Sequence, residues 1–168
     1  MTPSIAQPIA IISSLSGLNG EVRLKPLSRY FEDHIMSKYF MVGYSKSNLK
    51  NIVLDIVKGK GKKRIFKFKG VNTVIEANLI KGKTLFKEVS KDDKLNLVSE
   101  DLIGWSIKNE LNEKIGELVN IMWLPSNDIY IIKKGEKEYL IPVIDEVIKQ
   151  LNYEKEEILI NPIDGLID

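Results

Sequence analysis

Between Lys58 and Gly70 the chain reads KGKGKKRIFKFKG, which gathers Lys58, Lys60, Lys62, Lys63, Arg64, Lys67 and Lys69 around two phenylalanines. Ammonium and guanidinium groups at that density suit one chemistry, the neutralisation of a phosphate backbone. Such contact is electrostatic, salt-sensitive and poor in sequence information. On a hairpin the glycines let the lysine tips follow a polyanion. Strand alternation then sends Lys67 and Lys69 outward and Phe66 and Phe68 into the core. The opposing reading is that exposed hairpin tips are lysine-rich for solubility and edge protection, and the sequence leaves both open.

Residue types that make and break bonds are scarce. The only histidine is His34, in FEDHIMSKYF, so any His-based triad must use it, and a zinc site would need it together with Glu32 and Asp33. The adjacent pairs Asp92/Asp93, Asp145/Glu146 and Glu156/Glu157 point to opposite faces of an extended strand and cannot jointly flank a substrate. SGLNGEV lacks phosphate-loop spacing and no helix pattern follows its glycines. There is no cysteine, which removes thiolate chemistry, disulfides and cysteine-bound metal, and fits a reducing compartment. No enzyme, cofactor or metal is expected.

The elements that must carry these residues read as β-structure. Short β-branched and aromatic runs are broken by Gly, Asn, Asp and Pro, which indicates antiparallel barrels or sandwiches. In the first half strands are expected at Pro8 to Ser13, Glu21 to Leu27, Tyr39 to Tyr44, Asn51 to Val57, Lys63 to Lys69 and Thr84 to Val89. Val22 and Leu24 then face the core while Arg23 and Lys25 face water, and Asn19-Gly20 makes a tight reversal. Thr73 and Glu76 stand at capping-box spacing, and Gly82 sits where a helix would stop. That single helix would plug a barrel end with Ile75, Leu79 and Ile80. The polar stretch Ser90 to Asp93 marks a boundary. Beyond it, strands are expected at Leu102 to Lys108, Lys114 to Leu124, Asp128 to Lys133, Lys137 to Ile141 and Glu157 to Asn161. Val143, Val147, Ile148 and Leu151 recur at helical spacing after Pro142.

Net charge of +2 conceals two opposed halves. Residues 1–94 carry 18 Lys plus Arg against 8 Asp plus Glu, net +10, and residues 95–168 carry 7 against 15, net −8. An asymmetry of that size predicts two surfaces for partners of opposite sign, the alternative being drift in composition. In the acidic half, Trp105, Trp123, Leu124 and Tyr130 are the side chains able to anchor a protein partner, or to fill a core. No apolar run approaches the roughly 20 residues that cross a bilayer, and MTPSIAQP lacks a charged region before an apolar one. A cytoplasmic protein with no membrane partner is expected.

Four segments, in order, resemble the ribosome maturation factor RimM family: SGLNGEVRL, FKGVNTVIEANLIKG, DLIGW followed by IGELVNIMWLPSNDIYII, and LIPVIDEVIKQLNYEKEEILINPIDGLID. The resemblance implies an all-β protein of two small barrels. Residues 1–90 would form a six-stranded barrel like domain two of translation elongation factors, 91–100 a linker, and 101–168 a PRC-like barrel. It further implies a monomeric, non-catalytic assembly factor for the 30S subunit, without small-molecule substrate. Such a factor binds small-subunit ribosomal protein nineteen and 16S rRNA of immature subunits, and aids rRNA processing and head maturation. Arg23 and Lys25 join the seven cations of the hairpin as RNA-facing residues. Leu97 and Val98 stand where the family usually has a Tyr-Tyr pair. With Trp105, Trp123, Leu124, Asn127 and Asp128 they are the residues expected to face the ribosomal protein. A PRC-like regulatory module, or an RNA-processing enzyme, are the alternatives.

Overall fold

The computed structural model describes residues 4–162 together with Gly165 and Ile167. The start of the chain, MTP, and four residues of the family-like ending, Ile163, Asp164, Leu166 and Asp168, lie outside the described residues. The chain forms two compact units, Met1–Asn96 and Leu97–Asp168.

The first unit holds β1 (Ser4–Ser16), β2 (Glu21–Pro26), α1 (Phe31–Ile35), β3 (Tyr39–Gly43), β4 (Lys50–Lys58), β5 (Ile65–Phe68), α2 (Val74–Ile80) and β6 (Thr84–Ser90). Its strands close into a barrel in the order β1-β2-β5-β4-β3-β6. Closure depends on β1, which pairs with both β2 and β6 and slips register between Ile12 and Ser14 and between Pro8 and Ala10. Such irregularities bend a strand around a barrel corner, and they are where a proline without an N–H is tolerated. All six strands feed one core, with Ile9, Ile12, Val22, Phe40, Leu54, Phe66, Phe68 and Leu85 each at most 4% exposed.

Six strands in this half match the expectation from sequence, and so does the capped helix α2; a second helix was not expected. The helix α1, unanticipated, closes part of the core with Phe31 and Ile35. In α2 the capping box forms, Thr73 Oγ1 accepting from the Glu76 N–H at 3.1 Å. Of the three residues expected to plug the barrel, Ile80 packs against the core beside the buried Ala77, while Ile75 and Leu79 are 77% and 67% exposed. The cap fixes where the helix starts, and the small Ala77 is buried where the helix meets the barrel.

The second unit is a six-stranded sheet of β7 (Ser106–Lys108), β8 (Lys114–Met122), β9 (Ile129–Lys134), β10 (Lys137–Pro142), β11 (Ile148–Asn152) and β12 (Glu157–Ile160), ordered β10-β9-β8-β7-β12-β11. It encloses a core of Leu118, Tyr130, Ile132, Ile141, Ile158 and Ile160. Gly116 is required on β8, since a Cβ there would lie 2.6 Å from the Lys133 carbonyl oxygen. The expected helical turn at Val143 to Leu151 is a correction. After one tight turn, in which Ile144 O accepts from the N–H groups of Val147 and Ile148, the chain enters β11 and pairs Ile148 with Ile160. A short apolar run fits either period, and strand pairing with β12 decides it. The strand expected from Leu102 shrinks to Ser106–Lys108, because Glu100–Leu102 is a 3-10 turn capped by Ser99.

Candidate functional site

The basic hairpin is built by β4 and β5. Its tip turns through Gly59 at φ 81 and a 3-10 turn, Gly61–Lys63. Phe66 and Phe68 are buried as the alternation requires. The nine candidate cations then divide. Arg64 Nη1 lies 2.6 Å from Glu32 Oε1, and its guanidinium covers the Phe66 ring at 5.1 Å and that of Phe31 at 5.9 Å. Lys67 donates to Asn19 O and Asn72 Oδ1, both at 3.1 Å, and so ties the first reversal to the start of α2. Arg23 donates to the Lys62 carbonyl, and Lys58 lies 3.7 Å from Glu21. Lys25, Lys60, Lys62, Lys63 and Lys69 are exposed, and none of them enters an ion pair among the described residues. Arginine and aromatic thus brace the hairpin, while these five ammonium groups stay in solvent.

The reversal between β1 and β2 is equally constrained. Gly20 sits at φ +85, and a Cβ there would lie 2.2 Å from the Val71 carbonyl oxygen, so backbone packs on backbone. This accounts for the glycine in SGLNGEV without a phosphate.

In the acidic unit the seven expected contact residues also divide. Val98, Trp105 and Asp128 are 3%, 7% and 6% exposed. Trp105 packs edge-on against Tyr153, ring centroids 5.2 Å apart. Leu97 is half-buried against the same core. Val98, Trp105 and Asp128 thus lie in the interior, and Leu97 keeps part of its surface in solvent. Tyr130 is buried as well, its hydroxyl donating to the Leu97 carbonyl. Burial drives that phenol far above its ordinary pKa, and pushes Tyr153 up to about 12 with help from Asp101. Trp123 and Leu124, at 41% and 38%, stand in the open with Asn127 on the loop after β8. Met122, at 37%, extends this apolar tip. Simple alternation would turn it inward in phase with Leu118, and the register shift between Leu118 and Asn120 turns it out, which the sequence does not mark.

His34 lies in a cleft of about 270 Å³ with Tyr30, Asp33, Asp93, Lys94 and Leu95, and its Nε2 has no hydrogen-bond partner among the described residues. Burial lowers its pKa, and Lys87 lowers it further against Asp93 and Asp33. No cluster of three or more His, Asp or Glu positioned to hold a metal occurs among the described residues. No described helix is long and apolar enough to cross a membrane.

A closed basic barrel followed by an acidic six-stranded unit defines a two-domain β-barrel protein, and each half matches a known domain. Residues 8–92 match the RimM N-terminal domain and residues 99–166 the RimM PRC barrel domain. The chain belongs to the ribosome maturation factor RimM family. It is 32% identical to the ribosome maturation factor RimM of Staphylococcus haemolyticus and 30% identical to that of Staphylococcus epidermidis, in both cases across 94% of this chain and 96% of the relative. A solved RimM structure from Pseudomonas aeruginosa aligns with 95% of this chain and 98% of its own at 16% identity, with a TM-score of 0.47, a likeness too weak to add to the assignment.

Proposed function

We propose that this protein is a non-catalytic assembly factor of the small ribosomal subunit, working in the cytoplasm as a monomer. It binds 16S rRNA of the immature 30S particle through the basic barrel. Through the acidic barrel it binds small-subunit ribosomal protein nineteen, and it thereby aids rRNA processing and head maturation. Family membership supports the ribosomal setting. The observation that carries the division of labour is that the charge split coincides with the fold: unit 1–96 holds net +10 and unit 97–168 net −8. A polyanion and a basic ribosomal protein are the complementary partners.

Exposed Lys25, Lys60, Lys62, Lys63 and Lys69 would meet phosphates. Trp123, Leu124 and Asn127 would meet the protein partner, an exposed Trp being a frequent interface anchor. Binding stabilises one arrangement of RNA and protein, and release follows when the mature surface forms. Salt-sensitive charge contacts keep such binding adjustable.

The test is co-sedimentation of the purified protein with free small subunits, large subunits and 70S particles at two salt concentrations. Selective retention on free small subunits is the expected result. Equal behaviour toward all three particles, or turnover of an RNA by the purified chain, would overturn the proposal.

A further inference from the structure

On the outer face of the first barrel, β3 and β4 lay out a small platform. The register pairs Tyr39 with Val53 and Met41 with Asn51. The intervening residues Phe40 and Val42 on β3 are buried, as is Leu54 on β4. Strand alternation therefore turns the four paired side chains outward as one patch. They line an open groove of about 550 Å³, flanked on β6 by Lys87 and Glu88. Tyr39 is 74% exposed. A large ring at a strand start, left open beside a thioether and an aliphatic side chain, has the form of a stacking surface. Asn51 adds a donor and an acceptor suited to a base edge.

The surroundings choose the occupant. The groove lies on the unit of net +10. Lys87 lines the groove, and Lys38 directly precedes Tyr39, held at φ 66. Glu88 is the one acidic side chain lining the groove, and its carboxylate accepts the Ser4 hydroxyl. An aromatic platform with Lys87 at its edge, on a basic barrel, fits an unpaired nucleotide of single-stranded RNA, whose base stacks while its phosphate meets the ammonium group. We propose that this groove, separate from the Lys58–Lys69 hairpin, binds an unstacked base of single-stranded RNA on Tyr39. The inference rests on the reading that the basic barrel faces RNA, and gives that contact its base-stacking element.

The test measures binding of the full-length protein to a fluorescent single-stranded adenosine octanucleotide at low salt. Variants are Tyr39→Ala, Tyr39→Trp and the triple exchange of Lys60, Lys62 and Lys63 for Gln. Tyr39→Ala is expected to weaken binding about tenfold, with unchanged salt slope and melting temperature, and Tyr39→Trp to restore it. The lysine variant should instead lower the slope. If Tyr39→Ala binds like wild type while the lysine variant is weakened, the groove proposal fails and the RNA-facing reading stands. If the wild-type chain binds neither the oligonucleotide nor small subunits, both fail. If Tyr39→Ala leaves oligonucleotide affinity intact but loosens retention on small subunits, the groove holds protein, and the proposal is overturned.

Discussion

Neutralising Lys60, Lys62 and Lys63 together as Gln isolates the electrostatic contact, because these side chains are exposed and enter no ion pair among the described residues. Their removal leaves Arg64 over its two rings and Lys67 on Asn19 and Asn72, so the hairpin keeps its braces. If each lysine displaces one condensed counterion, the slope of log affinity against log salt falls by about 0.7 per contact on single-stranded and 0.9 on duplex RNA, or roughly 2 to 3 for the three. Between 50 and 200 mM salt, the affinity gap between wild type and variant should then narrow about 20- to 40-fold. The assay is retention on free small subunits across that range, with melting temperature as the folding control. An unchanged slope in a folded variant would refute the assignment of this tip to RNA. A lowered melting temperature would show that the lysines brace the fold.

Gly20→Ala should destabilise the first unit by at least about 2 kcal/mol in denaturant unfolding, since the new methyl group meets the Val71 carbonyl at a positive φ; a neutral result removes the close approach. Trp123→Ala should leave the melting temperature unchanged and weaken retention on small subunits about tenfold, whereas loss of stability instead would make Trp123 a packing residue. Burial raises the phenol pKa values of Tyr130 and Tyr153, so their contribution to stability is complete below the unfolded value near 10 and is lost as pH rises through the folded values. Denaturation midpoints from pH 8 to 12 should fall less steeply in Tyr153→Phe than in wild type, and parallel curves would contradict that coupling.

The strands of the first barrel were legible because each face is consistent. Val22 is buried while Lys25 is exposed, and Phe66 and Phe68 alternate with Lys67. The charge division was legible for a different reason, since counting residues needs no geometry. What escaped was decided by tertiary pairing. Ile148 to Asn152 carries a helical spacing, but β12 recruits it as a strand. Ile75 and Leu79 look like core residues of an amphipathic helix, yet the helix packs on the barrel through Ala77 and Ile80. Among the cations, sequence could not separate those held by carbonyls, carboxylates and rings from those left to solvent, because their partners lie up to 48 positions away.

The same ambiguity governs residues 91–100, whose polarity reads as a linker. Asn96 is 1% exposed, its Oδ1 accepting from Gln7 and its Nδ2 donating to the Ser90 and Lys91 carbonyls, so these residues belong to the first unit. Leu97 gives its carbonyl to Tyr130, and Val98 and Ser99 are buried, so the next residues belong to the second. An apolar pair at a domain boundary answers equally to contact and to packing, and burial decides for packing at Val98, while Leu97 is half-buried. Any partner contact by the acidic unit falls to side chains that remain exposed. On the loop after β8, these are Trp123, Leu124 and Asn127, continuous with Met122.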